Sequence, residues 1–362
     1  MEIALIGLPS SGKTTLFNVL TGGAQQAPVR GKAGIGVAKI LDTRLDALSK
    51  VFNPKKTTFA EITFWDIPAA VGEDGQQRAI GGQFLNQLQS ADAFLHVVRA
   101  FDDPTVPHSQ GSVDPLRDLE ALDAELAFSD LAILERRVQR IADSLKGARG
   151  NEREQLLREQ PLIQRVKESL EKDVPLRQQT FTGEESKTLA NYQLLTSKPQ
   201  LIVMNIGEED LGDQARADKL SAQASEKHGM RALAVCGKLE SELSQLSAEE
   251  QREFRQSLGA GESAVGRLVR ECLEMVGMST FLTVGPDEVR GWVINKEMAA
   301  VKAAGRIHSD IERGFIRAEV VSYDDFMACG SLAEARKRGV LRSEGKTYPV
   351  KDGDIINFLF SV

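Results

Sequence analysis

The chain has 362 residues, of which 41% are hydrophobic and 27% charged, and this length favours two domains or one domain enlarged by an insertion. Its net charge of −7 argues against a protein that coats nucleic acid through bulk charge, so we expect any RNA contact to be local. The apolar runs are strand-sized, the N-terminus has no signal-peptide pattern, and the three cysteines lie far apart. We therefore expect a cytoplasmic protein without membrane spans, disulfide framework or zinc knuckle.

Strands and helices alternate through much of the chain. Short apolar segments predict strands at residues 3–6, 62–65, 93–98, 200–204 and 232–235. The first strand is followed by a turn and by an amphipathic helix that starts at Lys13. This order predicts an α/β fold with a doubly wound, mainly parallel sheet, whose ligand binds at the carboxyl ends of the strands.

A helical segment at residues 115–195 interrupts this alternation. Its apolar residues recur mostly every three or four positions, and residues 146–150 break the pattern once. They are Leu119, Leu122, Leu126, Ile133, Val138, Ile141, Leu145, Leu156, Ile163, Val166 and Leu170. We predict an antiparallel, coiled-coil-like hairpin. It contains no ligand cluster, so the simplest interpretation is a solvated insertion with an apolar seam and no chemistry of its own.

From residue 279 onward, short strands surround one helix, which predicts a separate small α+β domain at 279–362. Residues 1–114 and 196–278 are then assigned to the sheet-containing domain. Five basic residues cluster in this C-terminal segment, namely Arg336, Lys337, Arg338, Arg342 and Lys346. Because acidic residues lie nearby, a solvated face and a nucleic-acid-binding surface both remain open.

A phosphate-binding loop is the strongest motif in the chain. The segment from Gly7 to Thr14 matches GxxxxGK[ST], and it lies between a strand and a helix, as this motif requires. Its backbone N–H groups can surround phosphate oxygens, while Lys13 reaches the β and γ oxygens and the Thr14 hydroxyl binds Mg²⁺. The predicted nucleotide-binding residues here are Gly7, Ser10, Ser11, Gly12, Lys13, Thr14 and Thr15.

Polar residues at the ends of other strands complete this site. Asp66 follows an apolar strand, where a Walker-B acid would help Thr14 to hold Mg²⁺. The N–H of Ala69, three residues later, can bond a γ-phosphate, but alanine lacks the backbone freedom of the glycine in DxxG. Asn205, Ile206 and Glu208 stand where switch GTPases have NKxD.

The base-recognition segment departs from that pattern. Glu208 keeps the carboxylate that would bind guanine but adds a methylene, and Ile206 replaces the lysine whose stem covers the ring. We therefore expect weak guanine selectivity, with adenine held by backbone groups and Asn205. Gly237 and Lys238, after the last strand of this domain, complete the predicted set.

With these motifs the sequence resembles the YchF/OLA1 family, an Obg-related branch of the P-loop NTPases. The resemblance covers nearly the whole chain. It depends on residues 7–18, 42–48, 81–86, 96–99, 113–120, 205–208, 303–310 and 352–358. It implies a nucleotide domain, a coiled-coil insertion and a C-terminal TGS-type β-grasp domain, as well as hydrolysis of ATP more readily than GTP and association with ribosomes or translation.

Three departures from the family pattern surround the γ-phosphate. Ser10 stands where members have an asparagine linked to a monovalent cation, which argues against potassium activation. No Ser or Thr lies between Thr21 and Thr43, so the switch-I threonine is missing, and Arg30 falls near its position. Members also have glycine where Ala69 stands. These losses suggest a divergent paralogue with slow hydrolysis.

Two functions remain open from the sequence. One is a slow ATPase or GTPase whose nucleotide state controls docking to a ribosome-related partner, and Lys13, Thr14 and Asp66 favour it. The other is a nucleotide-binding scaffold without turnover that docks to RNA or protein through its TGS-like and helical domains, and Ala69 and the missing switch-I threonine favour it. A small-molecule kinase is disfavoured, since it does not need the Asn205–Glu208 motif.

The residue that orients the attacking water is also open. No glutamine follows Ala69, so the water-orienting residue of Ras-like enzymes is missing. His108 lies in a loop after the third strand of the sheet domain, and a neutral imidazole suits this role near pH 7. We therefore predict His108 as a catalytic residue, the alternative being an ordinary solvated histidine.

Overall fold

The computed structural model describes residues 1–23, 33–71, 77–78, 80–211, 214–257 and 263–361. The chain divides into two compact units. The first comprises Met1–Gly36 and Thr63–Val265, and the second comprises Val37–Ile62 and Gly266–Val362. The second unit thus includes an N-terminal segment that the sequence-based division does not place there. The domain borders drawn from the sequence stay predictions.

The described residues contain the following elements. The strands are β1 (Glu2–Ile6), β2 (Gly34–Lys39), β3 (Lys56–Thr58), β4 (Glu61–Asp66), β5 (Ala70–Val71), β6 (Gln77–Arg78), β7 (Ala93–Ala100), β8 (Gln200–Ile206), β9 (Ala232–Val235), β10 (Met278–Thr283), β11 (Glu288–Asn295), β12 (Phe315–Ser322), β13 (Arg342–Glu344) and β14 (Asp354–Phe360). The helices are α1 (Lys13–Leu20), α2 (Thr43–Phe52), α3 (Leu85–Ser90), α4 (Pro115–Leu145), α5 (Gly150–Leu170), α6 (Gly183–Ala190), α7 (Gln214–His228), α8 (Gly237–Leu243), α9 (Ala248–Ser257), α10 (Ala264–Met275), α11 (Ala300–Ile307), α12 (Ser309–Arg313), α13 (Tyr323–Cys329) and α14 (Leu332–Lys337). Short 3₁₀ helices lie at Gly82–Phe84, Leu176–Gln178, Leu195–Ser197 and Glu208–Asp210.

A six-stranded sheet in the order β2-β4-β1-β7-β8-β9 forms the core of the first unit. The pairs from β4 through β9 are parallel, as predicted. Strands β7 and β8 are apolar on both faces because both faces are covered. The parallel arrangement brings Asp66, Arg99 and Asn205 to the carboxyl edge of the sheet, where Arg99 lies opposite Asn205.

Helices α4 and α5 form the predicted hairpin. Pro115 occupies the first turn of α4, and the Asp114 side chain caps it by accepting a hydrogen bond from the Arg117 N–H. The first turns of α4 pack on the sheet through Leu119, Leu122 and Leu126, so these residues do not belong to the hairpin seam.

The distal part of α4 packs against α5 instead. Leu134 and Ile141 meet Leu156 and Ile163 in a separate apolar cluster. A bidentate ion pair from Arg137 to Glu159 joins the two helices at 2.6 and 2.7 Å.

The second unit contains a sheet in the order β13-β12-β14-β10-β11-β3. Strands β10 and β14 are parallel, and each has an antiparallel neighbour, which is the β-grasp arrangement predicted from the sequence. Strand β3 extends this sheet beside β11, while Leu45 and Leu48 of α2 pack with Val289 and Phe326. Among the described helices, none combines the length and apolar character needed to cross a membrane.

Candidate nucleotide-binding site

The loop between β1 and α1 has the backbone conformation that a phosphate-binding loop needs. Gly7, Ser10 and Gly12 have φ values of 155°, 60° and 92°. A Cβ atom on Gly7 would lie 2.3 Å from the Val97 carbonyl oxygen, and one on Gly12 would lie 2.1 Å from Asn205 Nδ2. Both glycines are therefore required by close packing as well as by backbone conformation.

Lys13 is folded into this loop. Its Nζ donates hydrogen bonds to the carbonyl oxygens of Gly7 at 2.7 Å and Leu8 at 2.9 Å. Burial lowers the pKa of Lys13 to about 8, against the opposing influence of the carboxylates of Asp66 and Glu125. The ammonium group thus occupies a polar pocket whose carbonyl oxygens only partly replace water, and an anion there would stabilise its charge.

Thr14 and Asp66 lie together at the end of β4. The Thr14 hydroxyl donates a hydrogen bond of 2.7 Å to Asp66 Oδ2, while Asp66 Oδ1 is buried without a hydrogen-bond partner in the described part of the chain. Burial raises the pKa of Asp66, and the Thr14 hydrogen bond and Lys13 oppose this shift. One hydroxyl and one carboxylate with a free oxygen are ligands that suit Mg²⁺.

Asn205 joins the phosphate loop to the loop after β9. Its side chain is buried, and its Nδ2 donates to the Ser11 carbonyl oxygen at 2.9 Å. Its Oδ1 accepts from the Gly237 N–H at 3.0 Å. We predict from the sequence that Asn205 contributes to adenine binding; in the structure its amide positions the two loops that would surround a nucleotide.

Glu208 and Lys238 form an ion pair beside this connection. Glu208 Oε2 lies 2.6 Å from Lys238 Nζ, and both side chains are substantially exposed. Ile206 is buried in the apolar cluster of α7 and α8, where a lysine ammonium would be costly. Because Glu208 Oε2 pairs with Lys238, this oxygen is already occupied and is not free to bind a nucleotide base.

The remaining predicted residues lie on the same loops. Ser11 is buried and its hydroxyl has no hydrogen-bond partner among the described residues, whereas Ser10 is exposed and Thr15 is partly buried. Ala69 is partly exposed beyond the end of β4. Arg30 lies outside the described residues.

His108 is held within its own loop. Its Nδ1 accepts a hydrogen bond of 3.0 Å from the Gln110 N–H, and its Nε2 lies 2.7 Å from Asp118 Oδ2. Only 5% of the His108 side chain is exposed, so it is not an ordinary solvated histidine. Neither ring nitrogen is free in this conformation. The catalytic role stays a prediction, and it would require the His108 loop to open.

Arg99 is a site residue that the motif analysis does not identify. It is buried at the end of β7, and its guanidinium lies 4.6 Å from the centre of the Phe101 ring. Its Nε and Nη2 donate to the carbonyl oxygens of Phe101 and Asp103 at 3.2 and 3.4 Å. Arg99 therefore orders the loop after β7 at the edge where the nucleotide would bind. Its sequence signals are an arginine at the end of an apolar strand and its place in the family segment 96–99.

Comparison with known proteins shows which family the chain resembles over its whole length. A family model described as a 50S ribosome-binding GTPase matches residues 2–133, and a YchF-GTPase C-terminal model, described as a protein of unknown function, matches residues 278–361. Curated proteins named ribosome-binding ATPase YchF from Bacillus subtilis (strain 168) and Escherichia coli O157:H7 are 38% and 34% identical to the chain. Both alignments cover 100% of this chain, and they cover 100% and 99% of the two relatives.

A solved structure, that of the Schizosaccharomyces pombe YchF GTPase, is also similar. It matches with a TM-score of 0.85 and 27% identity, covering 99% of this chain and 97% of that chain. The family resemblance predicted from the sequence motifs is confirmed by these full-length matches. The chain therefore belongs to the YchF family of P-loop NTPases.

Proposed function

We propose that this protein binds ATP or GTP together with Mg²⁺, hydrolyses it slowly, and uses its nucleotide state to regulate association with ribosomes in the cytoplasm. The main support for the proposal is the phosphate loop, in which Lys13 bonds the carbonyl oxygens of Gly7 and Leu8 and beside which the Thr14 hydroxyl donates to Asp66. The names of the curated relatives support the ribosome as partner and ATP as substrate.

Phosphate binding follows from the loop geometry. A bound triphosphate would place anionic oxygens near Lys13 Nζ, which now bonds only the neutral carbonyl oxygens of Gly7 and Leu8. Charge-assisted contacts to phosphate are stronger than these neutral ones. The N-terminus of α1 and the N–H groups of the loop would add to this attraction.

Thr14 and Asp66 would hold Mg²⁺, directly or through water. The unpartnered Asp66 Oδ1 and the nearby Thr14 hydroxyl give the oxygen-only environment that this ion prefers. When bound, Mg²⁺ would neutralise charge on the phosphates. The chain's own contribution is to hold these two oxygens next to Lys13.

Slow turnover is supported by what the sequence lacks around the γ-phosphate. Ala69 replaces a glycine, no glutamine follows it, and residues 22–42 contain no Ser or Thr. The last two changes remove groups that position water or Mg²⁺ in related switch enzymes, while Ala69 keeps its N–H but restricts the backbone. His108 could supply the missing function only after leaving Asp118.

RNA contact through the C-terminal β-grasp unit belongs to the same proposal, but ion pairs reduce the basic surface that supports it. Arg336 pairs with Glu319 at 2.8 Å, and Arg338 pairs with Glu334 at 2.9 Å. Lys337 is exposed and has no ion pair within the described residues. Because segment Val37–Ile62 belongs to this unit, substitution of Lys337 tests it more cleanly than truncation at residue 279.

The alternative function is a scaffold that binds nucleotide without turnover. Ala69 and the missing switch-I threonine favour it. A long-incubation assay of phosphate release, with equilibrium binding of labelled ATP and GTP in parallel, separates the two. We expect slow release by the wild type and none by Lys13→Ala. Binding without release would favour the scaffold, and absence of binding would contradict both.

A further inference from the structure

The distal end of the α4–α5 hairpin, which we call the hairpin tip and define as residues 136–158, has a charge opposite to that of the whole chain. It contains seven basic and three acidic residues, a net charge of +4 in a chain of net charge −7. The basic residues are Arg136, Arg137, Arg140, Lys146, Arg149, Arg153 and Arg158. The rest of the chain is therefore strongly acidic.

Ion pairs neutralise only part of this charge. Arg137 pairs with Glu159, Lys146 with Asp143, and Arg158 with Glu154. The other four arginines, Arg136, Arg140, Arg149 and Arg153, are exposed and have no carboxylate partner in the described part of the chain. Arg136 and Arg153 each bond one backbone carbonyl oxygen, of Ala132 and Leu145, and their remaining N–H groups stay available.

The hairpin holds these arginines away from the acidic sheet domain. Leu126 is the last residue of α4 in the apolar cluster that contains Ala4 and Phe94 of the sheet. From Leu126 to the end of α4 at Leu145, the helix advances by about 28 Å at 1.5 Å per residue. Beyond Leu134 the hairpin has its own apolar cluster, which keeps the tip rigid.

The chemistry of the tip fits the phosphate backbone of RNA. Arginine presents a planar fork of donors that matches phosphate oxygens. Protein interfaces have an apolar centre, but Leu157 is the only large exposed apolar residue described in the tip. Nucleic-acid interfaces are instead polar and positively charged.

We propose that the hairpin tip binds the phosphate backbone of ribosomal RNA through Arg136, Arg140, Arg149 and Arg153. This inference rests on the proposed association with ribosomes and names the element and the chemistry that would carry it. It also gives the insertion a binding role, where the sequence alone suggests a solvated hairpin without chemistry.

The test uses the full chain with all four arginines changed to Gln, and it measures binding to purified ribosomes and to protein-free ribosomal RNA in rising salt. We expect affinity to fall at least tenfold for both. The slope of log affinity against log salt should become shallower by about 3, since each lost phosphate contact contributes roughly 0.7–0.9. A matched control changes three exposed lysines of the first unit that have no ion pair within the described residues, namely Lys172, Lys187 and Lys219, to Gln. It should change affinity less than about twofold.

Two further variants separate charge from folding. Changing the four arginines to Lys keeps the charge but removes the planar fork, so the salt slope should stay as in the wild type while affinity falls less than in the Gln variant. The double variant Arg140→Gln/Arg149→Gln loses no side-chain hydrogen bond to any residue that the structure describes, so it should unfold like the wild type yet still bind at least threefold more weakly.

Each contrary outcome has a defined meaning. Equal loss in the lysine control, or unchanged binding by a folded tip variant, would overturn the inference while leaving the proposed function intact. Loss of ribosome binding without any wild-type affinity for protein-free RNA would point to an acidic protein and would also overturn it. If the wild type does not bind ribosomes in either nucleotide state, the proposed function itself fails.

Discussion

Asn205→Ala tests whether the connection between the phosphate loop and the loop after β9 supports nucleotide binding. The substitution leaves the Ser11 carbonyl oxygen without its 2.9 Å donor and the Gly237 N–H without its 3.0 Å acceptor. An unsatisfied buried polar group costs about 1–3 kcal/mol. Because both groups lie on loops that can reach water by a small movement, we expect the lower half of this range for each, about 2–4 kcal/mol in total.

Most of this cost should appear in nucleotide affinity, because the loops must be ordered again when the ligand binds. A cost of about 2 kcal/mol corresponds to roughly a 30-fold weaker Kd for triphosphate, measured by equilibrium titration with labelled ATP. The part of the cost that does not weaken nucleotide binding should lower the free energy of unfolding, which urea denaturation measures. Asn191→Ala is the matched control, since Asn191 is exposed and its side chain has no hydrogen bond within the described residues; it should change neither quantity by more than about 0.5 kcal/mol.

A double-variant cycle with Gly12→Ala makes this test sharper. The new Cβ would lie 2.1 Å from Asn205 Nδ2, so Gly12→Ala should be much less harmful when Asn205 is already alanine. The strain of φ at 92° remains in both backgrounds. Additive effects on affinity, or wild-type affinity in Asn205→Ala, would refute the proposed connection.

Three other predictions follow from the site. Lys13→Ala should weaken triphosphate binding by about 1.5–3 kcal/mol without unfolding the protein. Bound phosphate should raise the Lys13 pKa above its free value of about 8, so wild-type affinity should be complete below that pH and fall as the pH rises through it; a flat profile in titrations would refute this. ATP should bind at least as well as GTP, and Lys238→Met, which frees the second Glu208 oxygen, should shift the competition ratio toward GTP by about threefold. Glu208→Asp with Ile206→Lys should shift it further, whereas a wild-type preference for GTP above about tenfold would contradict the base-recognition argument. His108→Ala should lower the free energy of unfolding by about 1–2 kcal/mol because it removes the neighbour of the buried Asp118 Oδ2, while Arg117 still pairs with Oδ1. A fall in single-turnover rate at unchanged nucleotide affinity would instead support the catalytic role.

Local sequence signals predict the phosphate loop and the polar strand ends, because their spacing fixes where Lys13, Asp66 and Asn205 lie on a parallel sheet. Contacts between segments that are distant in the sequence cannot be predicted from such local signals. The pairing of β3 with β11 joins Thr58 to Arg290, and no local pattern reports a partner so far along the chain. The contact of His108 with Asp118 cannot be predicted from the sequence either, because it depends on how the loop folds back on α4.

Regulation of ribosome binding by nucleotide is tested by the affinity of the full-length protein for purified ribosomes in two nucleotide states. Sedimentation would compare saturating ADP with a saturating non-hydrolysable ATP analogue at one salt concentration. If nucleotide state regulates association, the two affinities should differ by at least about fivefold, and Lys13→Ala should show no difference. If the wild type, with its nucleotide occupancy verified, binds ribosomes equally well in both states, nucleotide state does not regulate the association.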